Sequence, residues 1–462
     1  MKRVLVFVNQ RLKQDPTKGG RPHPLLGGLT TAERVAYGLA KSGARRSQVT
    51  VTFVGANEVT EVLSRTPGPD LEMNTQRDWS PETLFSRASA EAQADTEAGT
   101  DLSTPLLLIR GDRLYGNEVL SQALSLTPKP GEVLALSDAD NKTSSSPEST
   151  ATMGILAATP EALSPLLQES VSTEEPEAGD PNDIVHGLER AAHSAGTLRT
   201  VPKKAGYWHP AETRSHWKPA RDALFSSLGK PIDGFISRHF NRPVSQFFSK
   251  RLCNLPITPN QISAIVFLIG LGAAALMATG QWLWIALSAV VFHMASVLDG
   301  VDGEIARVKY QSSKFGALLD SILDHIVMVA WILAAGYVLT TLRGEGFLWM
   351  GAAYVCLFCT AVGSAMVNYD QITKTRGGQP MELKWDFEKE ENKDRLSSRI
   401  INAVRFFVSR DVDCVVLGLL AALNFLKPVV MISSVVSVVY FFVVLGHQLK
   451  RLFTRAQAVT KA

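Results

Sequence analysis

Cysteine is scarce in this chain: its 462 residues hold four, Cys253, Cys356, Cys359 and Cys414. None shares zinc-ligand spacing with a histidine, which excludes the zinc-finger and zinc-ribbon classes. Cys356 and Cys359 form a CxxC on paper, yet they stand inside an apolar run and read as small packing side chains. An excess of one charge is missing too. A net charge of +3 leaves no electrostatic footprint for nucleic acid, and none is expected as a partner. The opening MKRVLVFVNQ has too short an apolar run for a signal-peptide core and reads as a strand. The first half is therefore expected to stay in the cytoplasm. No internal repeat is evident.

Long apolar runs are absent from the first half and abundant in the second, a contrast hidden by the mean hydropathy of +0.06. From Lys2 to about Thr200, short β-rich runs alternate with amphipathic stretches: VLVFV, TTAERVAYGLAKSGA, VTVTFVG, LLLIRGD, EVLALSD and MGILAAT. That is an α/β layout. The segments 141–150 and 172–180, rich in Ser, Thr, Glu, Pro and Gly, read as loops. The chain divides on this reading into an α/β domain (1–225), a connector (226–256) and a membrane domain (257–462).

In the connector, KPIDGFISRHFNRPVSQFFSKR sets aromatics and aliphatics at near-helical spacing among five Lys or Arg. The pattern suits an amphipathic helix lying on the cytoplasmic membrane surface; a plain linker is the alternative. Six apolar segments follow, near 262–278, 282–298, 317–339, 347–367, 412–425 and 429–445. They predict an all-α domain of six spans, several of them shorter than the roughly 20 residues that cross a bilayer untilted. With both termini in the cytoplasm, the inner segments carry twenty-one Lys or Arg and the outer loops only Arg343 and Lys427. This is the asymmetry of the positive-inside rule, and it points to a multi-pass protein of the cell membrane.

At the inner end of the second span the chain reads SVLDGVDGEIARVKYQSSKFGALLDSILDHI. Asp299 and Asp302 are three residues apart, and Asp320 and Asp324, on the third span, are four apart. Those spacings put each pair on one helix face, and antiparallel neighbours bring two such faces together. Helix capping would account for the first pair alone, but not for carboxylates inside a span. There an unpaired aspartate costs about 2.5–3.5 kcal/mol, so the pair needs cations or a hydrated cavity. A divalent metal meets the need. Oxygen-only ligands favour Mg²⁺ or Mn²⁺, and the usual cage of carboxylates plus phosphates implies a substrate with a pyrophosphate. His325, beside Asp324, reads as a packing residue.

The pattern DxxDGxxAR, eight residues, G, three residues, D, three residues, D fixes eight identities over 26 positions. It resembles the signature of the CDP-alcohol phosphotransferase family. The resemblance implies transfer of a substituted phosphate from a CDP-linked donor to an acceptor hydroxyl, with CMP released and no covalent enzyme intermediate. By position it implies that Asp299, Asp302, Asp320 and Asp324 hold the metals and that Asp324 also serves as general base. Gly303 and Gly316 would let the nucleotide approach the backbone, Ala306 would leave room, and Arg307 would bind phosphate. The implied partners are the CDP-linked donor, an alcohol or inositol phosphate acceptor and the lipid bilayer, and the family is usually homodimeric. Lys314, Arg405 and Arg410 stand at inner membrane boundaries, as contacts for phosphate or headgroup or as topogenic charges.

DGFISRHFNRPVS and PITPNQIS resemble the branch of this family, of inositol phosphate type, with a cytidylyltransferase-like domain fused in front. PLLGGLTTAERVAYGLAKSGA is similar to the segment after a nucleotidyltransferase phosphate loop, and LLLIRGD to the strand that carries a metal aspartate, here Asp112. Two departures stand out. VFVNQRLKQDPTKGGRPHPLL replaces a glycine-rich LAAGxGxR loop and its Pro-Lys pair, and Trp208 is followed by Pro210 and Glu212 where the branch has aspartates. Glu212 remains a candidate metal ligand; Pro210 has no ligand atom to offer. A degenerate front domain is the expectation. The alternatives are a bifunctional enzyme that also makes CDP-inositol, and a catalytically silent membrane-anchored nucleotide-binding module. The choice between CDP-diacylglycerol and CDP-inositol as donor stays open.

Overall fold

The computed structural model describes residues 2–7, 29, 31–42, 49–54, 72–76, 105–138, 152–159, 161–163, 165–166, 182–211, 214–229, 237–374 and 410–460. The expected loops at 141–150 and 172–180 lie outside them. The chain forms two compact units, Met1–Ser227 and Leu228–Ala462.

The first unit contains strands β1 (Lys2–Phe7), β2 (Val49–Val54), β3 (Glu72–Gln76), β4 (Leu106–Arg110), β5 (Arg113–Tyr115), β6 (Val133–Ser137), β7 (Thr152–Ala158), β8 (Leu198–Pro202) and β9 (Trp208–Pro210). Its helices are α1 (Thr31–Lys41), α2 (Asn117–Ser125), α3 (Asn182–Ser194) and α4 (Arg214–Ser226). Seven strands make one sheet in the order β3-β2-β1-β4-β7-β6-β8, while β5 and β9 pair as a separate ribbon. In the large sheet only β7 runs antiparallel to its neighbours, as its registers with β4 and β6 show. Strands covered on both faces read as unbroken apolar runs, and all seven residues of β7 are buried. The strand order reverses between β1 and β4, so the carboxyl ends of these two strands border the crevice where open α/β sheets take ligands. Gly111 fits there because its N–H donates to the Phe7 carbonyl at 2.7 Å and a Cβ would stand 2.4 Å from that oxygen. Asp112 follows it, buried just past the carboxyl end of β4.

The second unit opens with a π-helical turn, Ser237–Asn241, that runs into α5 (Arg242–Leu252). Then come α6 (Pro259–Ala278), α7 (Trp282–Val308), α8 (Lys314–Tyr337), α9 (Leu348–Lys374), α10 (Arg410–Ala422) and α11 (Leu426–Thr460). A capping box starts α6: Thr258 Oγ1 accepts from the Gln261 N–H, the Gln261 side chain accepts from the Thr258 N–H at 3.0 Å, and Pro259 takes the first turn. Among the described residues five helices are long and apolar enough to cross a membrane: Pro259–Ala278, Trp282–Val308, Lys314–Leu342, Leu348–Tyr369 and Leu426–Leu449. The expectation of six is corrected at the segment 412–425. Of this segment the described residues form α10, Arg410–Ala422, which is not among the five.

Small residues set the helix approach, as in membrane bundles generally. A Cβ on Gly270 of α6 would meet Val327 of α8 at 2.5 Å, and one on Gly363 of α9 would meet Tyr440 of α11 at 2.6 Å. A chain of hydrogen bonds ties three spans together. Fully buried Trp331 of α8 donates to Ser288 of α7 at 2.8 Å, and Ser288 donates to the Ala273 carbonyl of α6 at 2.7 Å. Phe292 stacks on Trp331 with centroids 4.5 Å apart. All four cysteines are free and buried, in line with the packing role expected of them.

Candidate active site

Helix α7 has 27 residues, about 40 Å of length, so a helix that begins at one membrane face carries its last turns beyond the hydrocarbon on the other. Those last turns hold Asp299, Asp302 and Arg307. Tyr310, in the left-handed region at φ 56°, ends the helix, and the Gln311 N–H reaches back to the Ala306 carbonyl at 2.8 Å. The chain then reverses, and Ser313 caps α8 by accepting from the Gly316 N–H at 2.9 Å. Two turns into α8 come Asp320 and Asp324.

The reversal brings the pairs face to face. One carboxylate oxygen from each of Asp299, Asp320 and Asp324 lies within 4.8 Å of the others. Among the described residues no other group of three or more His, Cys, Asp or Glu is so placed. Asp302 is more deeply set, 5% exposed, and accepts a hydrogen bond from Ser263 of α6. The Gly303 backbone, Asp299 and Asp320 are its other neighbours. Carboxylates this close repel strongly unless a cation sits among them, and an all-oxygen donor set fits Mg²⁺ or Mn²⁺.

Asp299, Asp320 and Asp324 line a cavity of about 230 Å³ that reaches into the bundle, with walls from α6, α7, α8, α9, α10 and α11. Beyond the carboxylates its walls are mainly apolar, Phe267, Phe292, Val327 and Leu417 among them, with Thr360, Ser437 and Tyr440 as polar contributors. An acidic mouth on an apolar chamber accepts a molecule with a charged head and a hydrocarbon part.

Residues 256–440 match the CDP-alcohol phosphatidyltransferase family. The C-terminal half therefore contains a CDP-alcohol phosphatidyltransferase domain. Similar chains include the Bifunctional IPC transferase and DIPP synthase of Thermococcus kodakarensis, 34% identical over 163 residues, 35% of this chain and 35% of that one. The phosphatidylinositol phosphate synthase of Corynebacterium glutamicum is 31% identical over 130 residues, 28% of this chain and 55% of that one. The match thus spans about a third of the first relative's length and about half of the second's. The inositol-1-phosphate CTP transferase from T. maritima superposes on 48% of this chain and 95% of its own with a TM-score of 0.32 and 12% identity, too weak a likeness to carry an argument.

Around the carboxylates of this transferase domain, the other residues of the motif take distinct positions. The Arg307 guanidinium lies against Gly303, where a Cβ would stand 3.3 Å from its Nη1. A Cβ on Gly316 would meet Ser313 Oγ at 3.0 Å and Asn260 Oδ1 at 3.1 Å, so glycine keeps this turn close to the first span. Ala306 is half-buried on α7, and Lys314 is exposed at the start of α8. Arg410 begins α10, its side chain outside the described residues, and Arg405 and Glu212 lie outside them altogether. In the first unit, Asp112 accepts two hydrogen bonds from Arg110, at 3.1 Å from Nε and 2.7 Å from Nη2. Its charge is met by its own strand. Asp138 is likewise paired, to Lys203 at 2.9 Å and to the Trp208 indole at 2.8 Å.

Two residues near the site, Ser263 and Glu304, escaped the sequence reading, and a third, His325, takes a place beside the site. Ser263 carried no signal, one serine among many. His325, read as packing, lines the cavity and bonds through Nδ1 to the Ser321 carbonyl. Glu304, fully buried inside the motif itself, lies past the expected end of the second span at 298, where a carboxylate reads as solvated and gives no sign of burial.

Proposed function

We propose that the chain moves a substituted phosphate from a CDP-linked donor to an acceptor alcohol such as an inositol phosphate, in a Mg²⁺- or Mn²⁺-dependent reaction. The observation that carries this is the convergence of Asp299, Asp320 and Asp324 from two helices at the mouth of the apolar cavity. Asp299, Asp302, Asp320 and Asp324 would hold the metal, which when bound would supply positive charge to neutralise the pyrophosphate and the leaving group. The acceptor oxygen attacks the phosphorus remote from cytidine, the bond from that phosphorus to the CMP oxygen breaks, and Asp324 takes the hydroxyl proton. Arg307 binds phosphate, Gly303, Ala306 and Gly316 make room for the nucleotide, and Lys314 and Arg410 reach the acceptor or headgroup.

The apolar cavity favours a membrane-borne donor, CDP-diacylglycerol, over soluble CDP-inositol. The Arg110–Asp112 pair supports a first unit without metal chemistry of its own. The resemblance of DGFISRHFNRPVS and PITPNQIS to the inositol phosphate branch, beside the similarity to the Thermococcus protein, supports CDP-inositol made by the first unit or elsewhere as the second reading. The excess of inner basic residues supports both termini and the carboxylates on the cytoplasmic side of the cell membrane, and the family resemblance supports a homodimer. Purified full-length protein with Mg²⁺, inositol phosphate and labelled CDP-diacylglycerol or CDP-inositol tests the proposal. Product from the lipid donor is expected, product from CDP-inositol alone selects the second reading, and no CMP from either overturns both.

A further inference from the structure

Helix α5 is built inside out for a protein surface in water. Its inner face is polar: Ser245 is 2% and Ser249 0% exposed. Its outer face is apolar, with Phe240 of the preceding turn 63% and Phe247 51% exposed and Arg251 lying 3.5 Å over the Phe247 ring. Such a pattern suits a helix bathed by lipid at the membrane boundary. What the inner face holds is Glu304 of α7. One oxygen of this fully buried carboxylate accepts from Arg242 Nη1 at 2.9 Å and Ser245 Oγ at 2.8 Å, the other from Ser249 Oγ at 2.6 Å.

We infer that Glu304 is a positioning residue: through it the boundary helix α5 holds the cytoplasmic end of α7 in the register that presents Asp299 and Asp302 to a cation. At 3.6 residues per turn Glu304 lies about 200° around the helix from Asp302 and about 140° from Asp299, so it grips the helix from behind the site. Gly300, one turn earlier, faces Ser245 of α5, where a Cβ would make ordinary van der Waals contact at 3.7 Å. A second tie lies at the end of α7. Lys309 donates to the carbonyls of Leu255 at 2.7 Å and Ile257 at 3.0 Å, fixing the link between α5 and α6. Burying an ion pair gains little stability by itself, whereas fixing one arrangement is the use to which such pairs are best suited. A helix that slides by a fraction of a turn loses a metal ligand, so the grip acts on metal affinity.

The inference rests on the metal reading of the carboxylates, and the experiment separates the two. Full-length protein in lipid nanodiscs is titrated with Mn²⁺ and free metal is counted by electron paramagnetic resonance, with Tm in chelator measured in parallel. Outer groups that orient metal ligands typically cost about 10- to 100-fold in affinity when removed, so Glu304→Gln is expected to weaken Mn²⁺ binding by about 10-fold or more. The Ser245→Ala/Ser249→Ala double variant, which keeps the ion pair, should shift it less but in the same direction. Gly336→Ala, which crowds Ala353 at 3.0 Å in the far part of α8, should lower Tm and leave Mn²⁺ affinity alone. In turnover, the Mg²⁺ needed for half-maximal rate should rise in the Glu304 variant while the donor KM holds. Mn²⁺ affinity within twofold of wild type in both clamp variants overturns the inference, as does an equal loss in Gly336→Ala. If Glu304→Gln does not fold, the serine pair decides alone. Wild-type protein that binds no Mn²⁺ overturns the metal reading and the clamp with it.

Discussion

Replacing Asp320 by Asn should make the protein more stable without metal and less stable with it. Asp299, Asp320 and Asp324 offer oxygens within 4.8 Å of one another. At an effective dielectric constant of about 20, two unit charges that far apart repel by about 3.5 kcal/mol, and closer charges by more. Uptake of a proton by the metal-free cluster caps that penalty, so about 1–3 kcal/mol is the share expected to appear in stability. Asp320→Asn removes one charge and both of its repulsions within the trio while keeping the side chain's size. In chelator the variant should therefore unfold at higher temperature than wild type, by about 2–4 °C for each kcal/mol realised. Metal reverses the order. Wild type gains about 2.7 kcal/mol at a hundredfold excess of Mg²⁺ over its Kd, and the variant, a ligand short, gains little. CMP release should fall by more than the roughly 100-fold upper limit seen for outer-shell changes. The assay is intrinsic tryptophan fluorescence against temperature, in EDTA and in Mg²⁺, beside CMP release. A variant no more stable than wild type in EDTA, with an undiminished gain from Mg²⁺, would refute the shared-cation reasoning.

Ala295→Phe, at a buried wall position of the cavity, should reduce turnover of CDP-diacylglycerol at least about 10-fold by filling the chamber, and equal rates for short- and long-chain donors in the variant and in wild type would count against a lipid seat there. Phe240→Asp/Phe247→Asp should lower activity in bilayers more than in detergent, because two charges are forced into the boundary layer; equal losses in both media would argue against a membrane-facing α5. Arg110→Ala leaves Asp112 buried and unpaired and should cost the first unit about 3–5 kcal/mol, read by thermal unfolding, whereas an unchanged Tm would mean that the pair is immaterial. Gly270→Val drives a branched side chain into Val327 and should cost about 1–3 kcal/mol; an unaltered unfolding profile would show that α6 and α8 have room to separate.

The sequence alone determined what periodicity and spacing govern. Apolar runs of span length placed α6, α7, α8, α9 and α11, and the β-rich runs VLVFV, VTVTFV, LLLIR, VLALS and MGILAA became β1, β2, β4, β6 and β7. EMNTQ, without apolar alternation, gave no sign that it would be strand β3. The eight motif positions were legible because identity at fixed spacing is a local property. Only the tertiary structure decided which carboxylates meet, since that depends on how the turn through Tyr310 and the crossing at Gly270 set α7 against α8. It showed Asp112 paired to Arg110, a contact between side chains two residues apart whose rotamers no pattern records. The Glu304 clamp joins residues 55 to 62 positions apart in sequence, a distance that only folding closes.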